Sequence, residues 1–239
     1  MDESGSIEQQ YNTDIYVYFH VCCINNWKDT FLFLYANIKH SGLYSRTRAI
    51  RCNILSPYPE ETIAFFQLLC DNKIEIIGLS DDISLHEIPT INMLHRDACS
   101  ATEDYNILYI HTKGVRHRGL NPHVIDWMKY LAYFNIYRYD LCLSKLKEYD
   151  TVGVNMIKYP HPTLHYSGNF WWSKTQYIRT LEPCVYQNYN SPEFWLTEKE
   201  QGKFCCLWNS HVDHYIQPYR EEQYVRNSLE TAQSIQSST

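Results

Sequence analysis

Glycine and proline are both scarce in this chain, at 8 and 9 of 239 residues. Collagen-like chains and low-complexity disordered chains contain far more of both, whereas here aromatic residues reach 15%. Those two classes are therefore excluded. A single α/β core can grow to about 250 residues before it tends to split. The length and composition thus predict one folded domain.

Long apolar runs and an excess of positive charge are missing as well. No run of about 18 uncharged apolar residues occurs, so we expect no membrane span. Residues 1–6 are acidic and polar where a secretory signal would carry Lys or Arg. The 21 basic and 27 acidic residues give a net charge of −6, which makes nucleic acid an unexpected partner. We expect an unexported, cytoplasmic protein.

Cysteine is present without a paired spacing. The chain has nine cysteines, an odd number, and contains no C-x-x-C. Several lie in apolar stretches, as Cys70 does at the end of residues 65–70. This pattern favours buried free thiols in a reducing compartment over a disulfide framework.

The middle of the chain alternates between strand and helix patterns. Polar ends at 1–13 and 226–239, the latter rich in Ser, Thr and Gln, are expected to be mobile and to flank one domain at 14–225. The predicted strands are 15–24, 50–55, 74–79, 105–110 and 151–155, and the predicted helices are 27–38, 60–70, 88–101 and 122–147. This alternation predicts an α/β fold with a Rossmann-like, mostly parallel central sheet flanked by helices.

The longest predicted helix, 122–147, has a well-defined beginning. Asn121 suits the N-cap position, and Pro122 suits the first helical position because its missing N–H would be unpaired there in any case. Apolar residues fall close to one face along the segment. We expect this face to pack on the sheet.

Polar residues end four of the predicted strands. In an open parallel sheet, ligands bind beyond the carboxyl ends of the strands. The first strand runs through His20 to Asn25 and Asn26, the third ends at Asp81 and Asp82, the fourth at the string His111-Thr112-Lys113-Gly114, and the fifth at Asn155. The loops G-x-G-x-x-G and G-x-x-x-x-G-K-[ST] are absent, which argues against a dinucleotide dehydrogenase and a P-loop NTPase.

The string from His111 to Gly114 carries the clearest chemistry. A cation and an imidazole at the end of a buried strand, followed by glycine, suit a phosphate or a metal–phosphate group. Arg116, His117 and Arg118 add positive charge just beyond it. A solvated basic loop is the alternative interpretation.

Residues 165–172, His-Tyr-Ser-Gly-Asn-Phe-Trp-Trp, form a second candidate site. Gly168 permits a close approach of the backbone to a ligand, Asn169 can donate and accept hydrogen bonds, and aromatic rings offer an apolar face. On a strand, Trp171 and Trp172 point to opposite faces, so at most one can line a given pocket. The alternative is that both are core residues.

Two weaker candidates lie nearer the C-terminus. Glu193 falls in the first turn of a predicted helix, where it suits a general base but where the helix N-terminus alone could account for a carboxylate. Residues 211–214, His-Val-Asp-His, could bind a divalent ion, although a structural role is favoured. Zinc is not expected, since neither paired cysteines nor H-E-x-x-H occurs.

Four strings together resemble one known group of enzymes. They are YIHTKG at 109–114, DTVGVN at 150–155, HYSGNFWW at 165–172 and EFWL at 193–196. They resemble GT-A-fold glycosyltransferases of large DNA viruses and bacteria, the chlorella-virus enzymes most of all, over about residues 14–220. The resemblance implies transfer of a sugar from a nucleotide-diphosphate donor, with a UDP-sugar favoured, to a glycan acceptor, usually with Mn²⁺ or Mg²⁺. It would place a viral protein in the host cytoplasm.

One feature of that group is missing. Many members carry an acidic D-x-D at the end of the fourth strand, where it holds the metal, but here His111-Thr112-Lys113 takes that place and no D-x-D occurs. Either Lys113 neutralises the diphosphate directly, or other groups hold the metal. The candidate metal ligands are Asp81, Asp82, His111 and His214.

The resemblance also implies roles for particular residues. The expected nucleotide-binding residues are His20, Cys22, Asp81, His111, Lys113 and Asn155. The expected acceptor-binding residues are His165, Gly168 and Trp171, and the expected catalytic residues are Lys113, Asn169 and Glu193. A non-catalytic nucleotide- or glycan-binding domain and a nucleotidyltransferase remain the alternatives.

Overall fold

A computed structural model describes residues 14–116 and 121–225. The predicted mobile ends and the basic residues His117 and Arg118 lie outside the described residues. The strands are β1 (Ile15–Cys22), β2 (Thr47–Leu55), β3 (Ile74–Ser80), β4 (Asn106–His111), β5 (Thr151–Gly153), β6 (Met156–Ile157), β7 (His165–Tyr166), β8 (Trp171–Lys174) and β9 (Phe204–Cys206). The helices are α1 (Trp27–His40), α2 (Leu43–Arg46), α3 (Pro59–Leu68), α4 (Ile88–Ser100), α5 (Pro122–Ala132), α6 (Tyr139–Lys145), α7 (Thr175–Ile178) and α8 (Ser191–Phe194).

Seven strands form the central sheet, in the order β3-β2-β1-β4-β8-β5-β9. Neighbours pair in parallel except at β8, which runs antiparallel to both β4 and β5. Strands β6 and β7 form a separate antiparallel pair. The predicted fold class, a single α/β domain with a mostly parallel central sheet flanked by helices, is confirmed.

The sheet has a hydrophobic core on each face. Trp172 belongs to the core that includes α1 and α5, whereas Trp171 belongs to the opposite core, which includes residues of α4 and α7. Both tryptophans are buried, at 0% and 1% exposure. The prediction that they point to opposite faces is therefore confirmed, and so is the alternative that both are core residues.

The predicted helix 122–147 is interrupted. It begins as expected, with the Asn121 side chain accepting a hydrogen bond from the His123 backbone N–H at 3.0 Å. It then passes through a π-helical turn at Tyr133–Tyr137 before α6 begins. Within this turn the Asn135 carbonyl accepts from Trp172 Nε1 at 2.8 Å. A helix whose backbone carbonyl accepts a hydrogen bond from a side chain of the sheet departs locally from the regular pattern of α-helical hydrogen bonds.

Two further sequence-based expectations concern cysteines and membrane spans. All nine cysteines are free thiols, as expected, but only four of them are buried, and Cys70 and Cys99 are exposed. Within residues 14–116 and 121–225, no helix has the length and apolar character needed to cross a membrane.

Candidate functional site

A cleft opens at the carboxyl edge of the sheet, between β1 and β4. The chain proceeds from β1 to β2 on one side, and β4 pairs with the other side of β1, so this is the point where the strand order reverses. In open α/β sheets such switch points are where ligands bind. The cleft has a volume of about 320 Å³. Its walls include His20, Cys22, Glu87, His111, Lys113, Arg116, Tyr189 and Tyr215.

One buried and one half-buried histidine lie side by side at the base of the cleft. His20 and His111 are register partners on β1 and β4. His111 Nε2 lies 3.0 Å from the Gly168 carbonyl, to which it donates, and His20 Nδ1 lies 2.8 Å from Thr90 Oγ1. Burial lowers the pKa of His20 to about 4, and burial together with the Lys113 ammonium lowers the pKa of His111 to about 3. Both imidazoles are thus neutral at pH 7.

Lys113 places a positively charged side chain in the cleft. Its Nζ lies 3.7 Å from the centroid of the Trp127 ring. Among the residues that the structure describes, this ammonium has no hydrogen-bond or ion-pair partner. Burial lowers the pKa of Lys113, and the carboxylates of Glu193 and Glu87 oppose that shift. The charge is therefore available to an anionic ligand.

Arg116 adds a second cation at the mouth of the cleft. Its guanidinium carbon lies 4.4 Å from the centroid of the Tyr189 ring. Tyr189 is 54% exposed and also meets the His86 ring edge to face, at 5.4 Å between centroids. Positive charge and exposed aromatic surface thus occur together at this end of the cleft.

Glu87 is a cleft residue that sequence reasoning missed. Its Oε2 accepts one hydrogen bond from Tyr109 Oη and one from Asn169 Nδ2, both at 2.7 Å. Glu87 lies at the start of the helix that follows Asp81 and Asp82, beyond the polar end of β3. Glu87 is the N-cap residue of α4 and precedes the proline of its first turn, whereas Glu193 follows the proline at the start of α8.

Asn169, predicted to be catalytic, and Trp171, predicted to bind the acceptor, are buried and do not line the cleft. They are 3% and 1% exposed. Asn169 Oδ1 accepts from Trp171 Nε1 at 2.9 Å, and the Trp171 ring stacks on Tyr109 with 4.9 Å between centroids. The reason is the position of β8, which lies between β4 and β5 and is covered on both faces.

Glu193 and Gly168 meet directly behind His111. The Gly168 N–H donates to Glu193 Oε1 at 2.7 Å, while its carbonyl accepts from His111. Gly168 has a φ of +97°, and a Cβ placed there would lie 2.8 Å from Leu131 Cδ1. Gly168 is thus required by its backbone conformation and by packing on α5, whereas its predicted role was acceptor binding. Glu193 is partly exposed.

The four predicted metal ligands are not brought together. Asp81 and Asp82 are exposed, and Asp82 Oδ1 accepts from the Ser84 N–H at 2.9 Å, which caps a short turn. His214 does not line the cleft and is stacked on Trp127 at 5.1 Å between centroids. In the described part of the chain, no group of three or more His, Cys, Asp or Glu side chains is arranged to hold a metal ion. These residues therefore do not fit the predicted metal site.

Asn155 and His165 also lie away from the cleft. Asn155 Oδ1 accepts from Tyr130 Oη at 3.0 Å and from the Ser210 N–H at 2.8 Å, which ties the loop after β9 to α5. His165 is 2% exposed, and its Nδ1 lies 2.9 Å from the Thr163 carbonyl oxygen. Neither side chain is placed to contact a nucleotide or an acceptor in this cleft.

Four of the six predicted nucleotide-binding residues line the cleft. They are His20, Cys22, His111 and Lys113. The Cys22 thiol is a weak nucleophile there, because burial raises its pKa to about 11. Asp81 and Asn155 are the two that do not line it.

Comparison with known proteins gives a family and a general fold likeness. A family model described as "Domain of unknown function (DUF8361)" matches residues 38–218. The chain belongs to this family. No curated protein matches it.

Two solved structures are similar over most of the chain. One is HddC from Yersinia pseudotuberculosis, at 12% identity and a TM-score of 0.44, with 92% of this chain and 99% of that chain covered. The other is 4-diphosphocytidyl-2C-methyl-D-erythritol synthase from Anaerococcus prevotii DSM 20548, at 10% identity and a TM-score of 0.46, with the same coverage. At these values the two likenesses bear on neither the substrate nor the reaction of this chain.

Proposed function

We propose that this protein is a GT-A-type glycosyltransferase that moves a sugar from a nucleotide-diphosphate sugar, with a UDP-sugar favoured, to a glycan acceptor. One observation carries the proposal. The Lys113 ammonium, without an ion-pair partner among the described residues, lines a cleft of about 320 Å³ at the switch point between β1 and β4. The motif strings at 109–114 and 165–172 support it.

The leaving group of such a transfer is a nucleoside diphosphate, whose developing charge must be stabilised. Among the described residues, Lys113 and Arg116 are the cations that line the cleft. A cation fixed beside a departing phosphate lowers the barrier because its charge is already in place. His111 is neutral and donates to Gly168, so it contributes shape and polarity rather than charge. No step in this proposal depends on a metal ion.

The acceptor needs an apolar face and, for an inverting reaction, a base. Tyr189 and Tyr215 line the cleft and are each 54% exposed, so their rings can pack against the C–H face of a sugar. We assign the base to Glu193, whose Oε1 is oriented by the Gly168 N–H. Glu193 does not itself line the cleft, but its charge acts on Lys113 and Tyr215, which do. A retaining reaction would not require this base.

The experiment is an incubation of the purified protein with a panel of UDP- and GDP-sugars, followed by detection of the released nucleotide. Release of a nucleoside diphosphate that depends on Lys113 supports the proposal. Pyrophosphate released from a nucleoside triphosphate and a sugar phosphate would instead indicate a nucleotidyltransferase. Nucleotide binding without either product would indicate a non-catalytic domain.

A further inference from the structure

Glu87 lines the cleft, and one of its two carboxylate oxygens is held by two buried side chains. Oε2 accepts from Tyr109 Oη and Asn169 Nδ2, both at 2.7 Å. Within residues 14–116 and 121–225, Oε1 has no hydrogen-bond partner, and Glu87 lines the cleft. The side chain makes no capping hydrogen bond to its own helix, α4. Helix capping therefore does not explain the presence of a carboxylate at position 87.

The groups that hold Glu87 form a closed arrangement. Tyr109 stacks on Trp171 at 4.9 Å between centroids, Trp171 Nε1 donates to Asn169, and Asn169 and Tyr109 both donate to Glu87. Tyr109, Asn169 and Trp171 are at most 3% exposed. A carboxylate fixed by buried donors loses little freedom when it binds a ligand, as preorganised binding groups require.

The chemistry of the cleft separates two kinds of ligand group. An ionised carboxylate only accepts hydrogen bonds, so its partner must be a donor. Phosphate oxygens would be repelled by Glu87 and attracted by Lys113 and Arg116, which line the same cleft. The uncharged hydrogen-bond donors of a nucleotide-sugar are the hydroxyl groups of the transferred sugar, the hydroxyl groups of the ribose and the N–H groups of the base. The free nucleotide carries the last two, so comparing its affinity with that of the nucleotide-sugar separates them from the transferred sugar.

We propose that Glu87 is a specificity-determining residue that accepts a hydrogen bond from a hydroxyl group of the donor's sugar. This inference rests on the proposed function. It differs from the assignment of Glu193 as base, because it concerns binding of the donor and not proton transfer. Donors that lack the recognised hydroxyl should bind less well, since Oε1 would then be left without a partner.

Glu87→Gln is the sharpest test that the geometry allows. The amide oxygen can keep both hydrogen bonds, to Tyr109 and Asn169, while the NH₂ group replaces the acceptor in the cleft. Affinities of the wild type and the variant are measured by calorimetry for UDP, GDP and a panel of UDP- and GDP-sugars. We expect the variant to bind the preferred nucleotide-sugar at least about tenfold less tightly and the corresponding free nucleotide equally well.

Glu103→Gln is the matched control. Glu103 is exposed and lies outside the cleft, so this substitution removes the same charge without changing the cleft. It should leave both affinities unchanged. The affinities of the wild-type protein for deoxygenated nucleotide-sugars give a second measurement, which remains valid even if Glu87→Gln fails to fold. Removal of one particular hydroxyl group from the sugar should weaken binding of the nucleotide-sugar by a similar factor.

Three results would overturn the inference. One is equal loss of nucleotide and nucleotide-sugar affinity in Glu87→Gln, and another is unchanged affinity for both, including the case where sugar transfer alone is lost. The third is a wild-type protein for which no deoxygenated donor binds more weakly. If the wild type binds neither UDP, GDP nor any nucleotide-sugar, the proposed function itself fails, which is distinguishable from these three.

Discussion

The Lys113 ammonium lies 3.7 Å from the centroid of the Trp127 ring. Trp127 belongs to α5 and is 2% exposed, with the His214 imidazole stacked at 5.1 Å between centroids. An aromatic face attracts a cation through its quadrupole without cancelling the charge. Helix α5 thus holds Lys113 in place and leaves its positive charge for a ligand.

Lys113→Ala should lower the turnover number by about a hundredfold or more, because loss of one group that stabilises the charge developing in the transition state typically lowers the rate by that factor. The fold should persist, since Lys113 has no hydrogen-bond partner among the described residues. Nucleotide release is measured alongside circular dichroism. Lys147→Ala, at an exposed position, is the control for loss of a positive charge. A turnover number near that of the wild type would exclude Lys113 from catalysis.

Glu193→Gln should lower sugar transfer by about a hundredfold or more, the usual contribution of a general base. Donor affinity should change little, because the amide oxygen can still accept from the Gly168 N–H that now binds Oε1 at 2.7 Å. Transfer rate and donor affinity are measured on the same preparation. Glu198→Gln, an exposed change of the same kind, should have no effect. Transfer at more than about a tenth of the wild-type rate would refute the role.

The stability of the fold should fall on acidification, in part through His214. The Ser210 N–H donates to Asn155 Oδ1, so the amide nitrogen of Asn155 faces His214 Nε2, at 2.9 Å, and Nε2 must accept. Burial, followed by the Lys113 ammonium, lowers the pKa of His214 from 6.5 to about 4. Between these two values the unfolded chain binds more protons than the folded chain, and stability decreases as the pH falls.

For His214 alone the expected decrease is about 1.4 kcal/mol per pH unit. Urea unfolding of the wild type and of His214→Gln, from about pH 6.5 down to about pH 4.5, measures it. The variant should show a shallower dependence on pH, whatever its stability at pH 7. His20 contributes a further slope that both proteins share, because burial also lowers its pKa to about 4. Parallel curves would mean that His214 is not neutral in the fold.

Gly168→Ala should destabilise the protein by about 2 to 4 kcal/mol, from left-handed strain and overpacking together. Its φ is +97°, and the added Cβ would meet Leu131 Cδ1 at 2.8 Å. Gly42→Ala is a matched control, since Gly42 has a φ of +86° but its nearest neighbouring atom is 3.7 Å away. The control should show the strain alone, about 1 to 2 kcal/mol. Urea unfolding measures both, and equal losses would contradict the packing argument.

The sequence determined the order of the elements and part of the cleft. Strands β1 to β4 and the helices between them follow the predicted bounds to within a few residues, because apolar periodicity and helix caps are local properties. The polar residues that end β1 and β4 were also predictable, since parallel strands place their carboxyl ends at one edge. His20, Cys22, His111 and Lys113 accordingly line the cleft.

Only the tertiary structure decided which side chains support that cleft. Glu87 meets Asn169 because β8 pairs antiparallel with β4, an arrangement that brings together residues 82 positions apart in the chain. The same pairing buries Trp171. From the sequence alone, its aromatic ring suited an exposed sugar-binding surface as well as a core position. Sequence periodicity reports which side of its own strand or helix a residue occupies. Its hydrogen-bond partner depends on which strand lies alongside, and strand order is set by packing across the whole sheet.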